Sequence, residues 1–410
     1  MSTKYAFLSL PQGVFDSSDR DDAISSLRGT VSNDNGSVLP FNIPDFKIGT
    51  LDALVQQADE LTKLEASCEA VVSKVAESLK NVLDGDEDRI AQYKMVNDKP
   101  TDQYVSTFSW NKIRYRADKS LAELISTLQK ACIPSATSRA SANSYHQELA
   151  NVDTDVKTKF NQYNSVKTNL AALQRRQTGN LSTKSLTPIV DPALLVQDSE
   201  YIETHLIVVP GNAKKDFLKG YETLAPMVVP RSAVEVAKDD EFVLFAVATF
   251  KKHSAEFLAK CREQKWTPRQ FKYVEGGRQE EQRELDRVTN EERKVCGEAL
   301  RMGRTGWSES VMIWIHVITL RVFVEAVLRY GLPLDYVTAL VKTTSKLAPK
   351  VKTALDSNYS FLGGNAFGRD KRGKITKDDA ALSSEMAAAG FQTGEGHEYT
   401  AYVYYEIEFP

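Results

Sequence analysis

At the start of the chain, residues 5–10 read as a short strand. The polar, Gly/Ser/Asp-rich stretch 11–42 that follows reads as a loop. From Leu51 the pattern changes. Leu54, Val55, Ala58, Leu61, Leu64, Cys68, Val71, Val75, Leu79 and Val82 recur at steps of three and four, which predicts a helix with one apolar face. Thr50 can cap it and Asp84-Gly85 ends it. A second helix, from about Lys119 to Cys132, turns Leu121, Leu124, Ile125 and Leu128 inward and stops before Pro134.

Between Pro134 and Gly179 nothing breaks a helix, because neither proline nor glycine occurs there. Leu149, Val152, Val156, Phe160, Tyr163, Val166, Leu170 and Leu173 keep the three-four rhythm. A helix over 138–178 would be roughly 60 Å long at about 1.5 Å per residue. A counterpart follows Gly276-Gly277, with Leu285, Val288, Val295, Ala299 and Met302 in the same rhythm, Glu292 in the missing apolar place and heavily charged flanks over 280–294. Two long helices with such thin apolar stripes are expected to pack on each other, with Gly303 and Gly306 interrupting the second. Residues 311–328 are apolar on nearly every side, but His316, Arg321 and Glu325 break the stretch on different faces, so a buried core helix is expected rather than a membrane span.

Between the two long helices, strand and helix alternate. Strands at 202–209, 228–236, 242–249 and 269–274 and helices at 213–223 and 251–263 give the β-α-β-β-α-β order of a split sandwich. Residues 335–410 add a helix or two and a strand at 399–409, so that both chain ends share a sheet. The expected fold class is α+β and elongated: two α/β globular ends, one of them discontinuous, joined by long helices. The segments are 1–137 and 331–410 for the discontinuous end, 138–180 and 276–330 for the helices, and 181–275 for the inserted domain.

Charge and cysteine content narrow the function classes. Charged residues make up 26% of the 410 residues and nearly cancel, leaving a formal net charge of −3, so no whole-molecule field draws the chain to nucleic acid or anionic membrane. Cys68, Cys132, Cys261 and Cys296 are far apart and form no CxxC pair, a usage that fits a reducing cytosol. The start, MSTKYAFLSLPQG, lacks the features of a secretory signal, and export is not expected.

Candidate chemistry is sparse. Gly363 and Gly368 have the spacing of a phosphate loop, but Arg369 and Asp370 stand where Lys and Ser/Thr are needed, so a tight glycine turn is the better reading. The basic run Arg369, Lys371, Arg372, Lys374 and Lys377 is a candidate contact for an acidic partner, lipid head group or filament; a solvated loop stays open as its alternative, since Asp370, Asp378 and Asp379 dilute the charge. His146, His205, His253, His316 and His397 are scattered without a metal or triad spacing. Glu280, Glu281, Glu284 and Asp286 lie among arginines on a helix expected to be solvated and without a cleft. No catalytic, cofactor-binding or metal site is predicted.

Five strings together resemble the C subunit of the vacuolar-type proton-pumping ATPase: FKIGTLD (46–52), NQYNSVKTNLAALQRRQTGNLSTKSL (161–186), EFVLFAV (241–247), LRVFVEAVLRYGLP (320–333) and FLGGNAFGRDKRGKI (361–375). The resemblance runs from near Lys47 to the C-terminus, apart from 390–398. It implies a small head, a neck of long antiparallel helices and a foot built from both chain ends. It also implies a stator component that joins the peripheral stalks, made of the E and G subunits, to the cytoplasmic domain of the large membrane subunit designated a. Such a component neither hydrolyses ATP nor carries protons, needs no cofactor, and sits on the cytosolic face of endomembranes until reversible disassembly releases it. Some members are reported to bind actin, and a cytoskeletal adaptor or spacer is the alternative function.

Overall fold

The computed structural model describes residues 2–17, 19–132, 148–196, 199–274, 276–366 and 400–410. In chain order the elements are β1 (Thr3–Pro11), α1 (Arg20–Val31), β2 (Ser37–Pro40), α2 (Leu51–Val82), α3 (Glu87–Tyr93), β3 (Met95–Val96), β4 (Lys99–Pro100), α4 (Thr101–Ser106), α5 (Leu121–Cys132) and α6 (Glu148–Thr178). There follow β5 (Ile202–Pro210), α7 (Lys214–Gly220), β6 (Val234–Lys238), β7 (Phe242–Phe250), α8 (Ser254–Glu263), β8 (Thr267–Arg269), α9 (Gly277–Tyr330), β9 (Tyr336–Thr344), α10 (Ala348–Tyr359) and β10 (Val403–Glu408). Helix and sheet are mixed, and the chain divides into two compact units: Met1–Phe160 with Glu298–Pro410, and Asn161–Gly297.

The first unit is built on an antiparallel sheet of order β10-β1-β9-β2, so both chain ends do share a sheet. Phe7 of β1 lies between Tyr405 and Leu340. Ala6, Leu8 and Leu10 enter one core with Ala23, Ile24 and Leu27 of α1 and Val351 and Leu355 of α10. On the other side, Phe7 meets the ring of Phe41. A strand covered on both faces is buried at every central position, which explains the run of apolar residues in β1.

Two sequence expectations fail here. The stretch 11–42 is not a loop throughout but holds α1 and β2. Asp19 accepts a hydrogen bond from the Asp21 N–H, Asp21 and Asp22 occupy the first turn, and Ala23, Ile24, Leu27 and Val31 form a buried face. Residues 335–410 hold a helix, α10, and a C-terminal strand, but also a strand not expected there, β9, which alternates and sends Val337, Ala339 and Val341 into the core shared with α1. Helix α2 runs as expected, with the Thr50 side chain accepting from the Ala53 N–H and Asp84 and Gly85 in the left-handed region beyond its end. Its buried face carries Val72 rather than Val71.

Helix α9 is continuous over 54 residues, so Gly303 and Gly306 do not interrupt it. Gly303 has a packing reason instead: a Cβ there would lie 2.5 Å from Leu79 Cδ2 and 3.5 Å from Phe160 Cζ. The missing side chain lets α9 approach α2 and α6. By length and composition α9 contains a window able to cross a membrane, yet 83% of that window is buried inside the protein. Its three polar interruptions are all partnered. Arg321 pairs with Glu65 of α2 and lies 4.3 Å over the Tyr405 ring. Glu325 pairs with Arg329, which also donates to the carbonyls of Thr400 and Tyr402. His316 is held between two backbone groups, described below.

The second unit has a sheet of order β6-β7-β5-β8, every neighbouring pair antiparallel. Ile207, Val209, Val243, Phe245 and Val247 pack against Phe217 of α7 and Phe257 of α8. Leu206, Val208, Leu244 and Ala246 face the other way and are covered by Leu181, Leu186 and Val190. Two outer strands differ from the expectation. Val228 makes only an isolated bridge to Thr249, and Met227 and Arg231, both at positive φ, turn the chain before β6 begins at Val234. The last strand occupies 267–269 rather than 269–274, since β5 offers partners only at Leu206, Ile207 and Val208.

Candidate interaction sites

Arg369, Lys371, Arg372 and Lys374, the predicted contact residues, lie outside the described residues, as do Lys377 and Gly368. Gly363 falls in a 3-10 segment, Ser360–Ala366, that continues α10. His146, His397, Asp370, Asp378 and Asp379 are also outside the described residues.

The remaining histidines have structural settings. His205 Nε2 lies 2.7 Å from Ser254 Oγ and 3.5 Å from Glu203 Oε1. A catalytic relay needs the acid and the nucleophile on opposite ring nitrogens, and here both meet Nε2. Burial holds the His205 imidazole below its usual range, against an upward pull from Glu203. His253 is 3.9 Å from Glu256 near the start of α8.

His316 is fully buried in α9. Its Nδ1 lies 2.7 Å from the Met312 carbonyl and its Nε2 accepts from the Asn111 N–H at 3.2 Å, which assigns the proton to Nδ1. Phe108, Trp110 and Tyr115 surround the ring at centroid distances of 5.1, 4.8 and 4.8 Å. Burial pushes its pKa down from 6.5 to about 4, with the hydrogen bond to Met312 opposing and Arg114 assisting. Because the folded value is the lower one, the unfolded chain binds the extra proton first. This contribution is complete above about pH 6.5 and is lost as pH falls toward 4. It amounts to about 3 kcal/mol. Urea titrations between those limits should show stability falling with acid, and His316→Gln should flatten that part of the profile.

The carboxylates of α9 are not simply solvated. Within the second unit, Glu280, Glu281, Glu284 and Leu285 line a cavity of about 380 Å³ with Arg176, Ser185, Thr187 and Lys272. Glu281 accepts from Ser185 Oγ at 2.7 and 2.9 Å and from Thr187 Oγ1 at 2.9 Å. Gln177 Nε2 of α6 donates to Gln282 Oε1 of α9 at 3.3 Å. Glu284 is engaged by Arg287 through two contacts of 3.0 and 2.8 Å. Helical periodicity cannot reveal this cleft, because Ser185 and Thr187 reach Glu281 across nearly a hundred residues of sequence. The Ser-x-Thr spacing that suits a shared carboxylate carries no signal by itself. These contacts fix α9 to the segment after α6 and supply no convergent acid and base. Among the described residues, no three His, Cys, Asp or Glu side chains are grouped to hold a metal ion.

Taken together, an antiparallel split sandwich, long α6 and α9, and a sheet closed by both chain ends define a mixed α+β helical scaffold. The family model for the C subunit of V-ATPase matches residues 5–403. The C subunit of the V-type proton ATPase of Saccharomyces cerevisiae is 38% identical over 347 residues, covering 84% of this chain and 83% of that protein. The V-type proton ATPase C subunit 1 of Macaca fascicularis is 35% identical over 380 residues and 92% of each chain. That of Xenopus laevis is 34% identical over 383 residues, 93% of this chain and 92% of that protein. The chain therefore belongs to the family of V-ATPase C subunits.

Proposed function

We propose that the chain is the non-catalytic stator component of a rotary proton-pumping ATPase. It would bridge the peripheral stalks, made of the E and G subunits, to the cytoplasmic domain of the membrane subunit designated a. The observation that carries this reading is the family match over residues 5–403. In this reading the layout is two-ended: a head at 181–275, a foot from 1–137 and 331–410, and a neck of antiparallel helices at 138–180 and 276–330. The basic run at Arg369, Lys371, Arg372 and Lys374 serves as a partner contact of the foot.

A stator must resist torque, and uninterrupted helices such as the 54-residue α9 do so better than a flexible linker. Anchoring at two ends also raises the effective concentration of the second contact once the first is made. Weakening either end then releases the protein, which supports reversible assembly of the cytosolic and membrane sectors. It is peripheral on the cytosolic face when assembled and soluble when released.

Affinity isolation from native membranes tests the reading. The chain should carry both ATPase sectors with it, and should separate from the membrane sector under conditions that detach the cytosolic one. Isolation without any other ATPase component would count against it.

A further inference from the structure

The segment that connects α4 to α5 presents an aliphatic side chain almost entirely to water: Ile113 is 95% exposed. A single exposed isoleucine on a loose loop would need no explanation. This one is held in place. Asn111 Oδ1 accepts from the N–H groups of Ile113 and Arg114 at 3.2 and 3.0 Å, and the Asn111 carbonyl accepts from the Tyr115 N–H at 2.8 Å. Trp110 Nε1 donates to the Tyr115 carbonyl at 2.6 Å, and Asn111 N–H donates to buried His316. Arg114 is anchored to Glu309 of α9 at 2.7 Å.

The segment before α2 packs beside this loop. The rings of Phe46 and Trp110 meet at 4.8 Å, and Lys47 forms a bridge with Ser120. One turn beyond Lys47, Leu51 is 66% exposed. Lys47, Lys112, Arg116 and Lys119 are exposed on these two segments. Arg116 is tied to Asp118, and Asp45 and Asp52 are the other exposed carboxylates of the two segments. On residues 111–119 Arg114 is paired with Glu309 and Arg116 with Asp118, and Lys112 and Lys119 are the further cations.

We propose that Ile113 is an anchor residue that plugs an apolar socket, rimmed by carboxylates, on a protein partner. Pinning the loop in advance removes ordering cost only when the partner has a fixed shape to match. A fluid bilayer gains nothing from that shape. It would also need far more apolar mass, since a whole myristoyl chain gives only marginal anchoring. With Arg114 and Arg116 already paired, Lys112 and Lys119 are the cations that favour an acidic rim and speed encounter. The proposal rests on the stator reading, in which the partner is another component of the ATPase.

The test uses the full chain, added back to ATPase membranes stripped of their own C component, with affinity read by sedimentation. Ile113→Ser should weaken binding about tenfold or more, while Ile113→Leu changes it less than about threefold. Lys112→Glu should weaken binding and reduce its salt dependence. Thermal midpoints of all three variants should match the parent, because the altered side chains are exposed. If the parent binds and Ile113→Ser binds equally well, the anchor is refuted while the stator reading stands. If the parent itself fails to bind, both fall. Sedimentation of the parent with phosphatidylcholine–phosphatidylserine vesicles, lost in Ile113→Ser, would make the loop a membrane contact and overturn the protein socket.

Discussion

Replacing Glu65 by leucine should cost the first unit about 3 kcal/mol or more of stability. Glu65 and Arg321 are each only 13% exposed, and Arg321 sits in the apolar half of α9. Removing the carboxylate leaves a guanidinium with little water and no counter-charge, a larger penalty than the pair's own net contribution. The Tyr405 ring, 4.3 Å from the guanidinium, offsets part of the loss but cannot replace an anion. Changing both residues, Glu65→Leu with Arg321→Met, removes the stranded charge and should restore most of the stability. Urea unfolding of the two variants and the parent measures this directly. A single variant within about 1 kcal/mol of the parent would mean that water reaches the pair.

A proline at Asn290 should abolish coupling while leaving both sheets intact. Asn290 is exposed in the interior of α9 and touches neither core cluster of the second unit. Proline there deletes the hydrogen bond to residue 286 and clashes with its carbonyl, a cost of about 3 kcal/mol or more that is relieved by kinking the helix. If α9 carries load in the proposed stator, Asn290→Pro should allow ATP hydrolysis with little proton uptake, whereas Asn290→Ala should behave as the parent. Circular dichroism would check that the sheets survive. Full proton uptake with the proline variant would show that α9 does not transmit torque.

The legible parts of the fold were those where one physical pattern acted alone. The α2 stripe, its Thr50 cap and its Asp84-Gly85 stop are local features, and they appear as read apart from Val72 taking the place of Val71. The buried fate of the apolar half of α9 followed from His316, Arg321 and Glu325, polar groups on three faces that a protein core can satisfy and lipid cannot. Helix α1 was obscured because its serines, glycine and aspartates resemble a turn-rich loop, although Asp19 and the Ala23, Ile24, Leu27 spacing were present. Strand β9 is not legible locally because its alternation matters only once β1 and β2 flank it. Gly303 reads as a breaker in isolation and becomes a close-packing residue only beside Leu79 and Phe160. The cavity at Glu281 and the loop at Ile113 depend on partners from distant segments, Ser185 and Thr187 in one case and His316 and Glu309 in the other. No local pattern announces such pairings.

The central claim is that this chain completes a proton-pumping ATPase. It is tested most directly in Saccharomyces cerevisiae cells that lack their own member of the family, by measuring ATP-driven proton uptake into isolated vacuolar vesicles with and without this chain. Restored uptake that a specific inhibitor of the pump abolishes is the predicted result. A well-folded chain that fails to join the membranes or restore uptake, while the yeast protein succeeds in the same cells, would contradict the account.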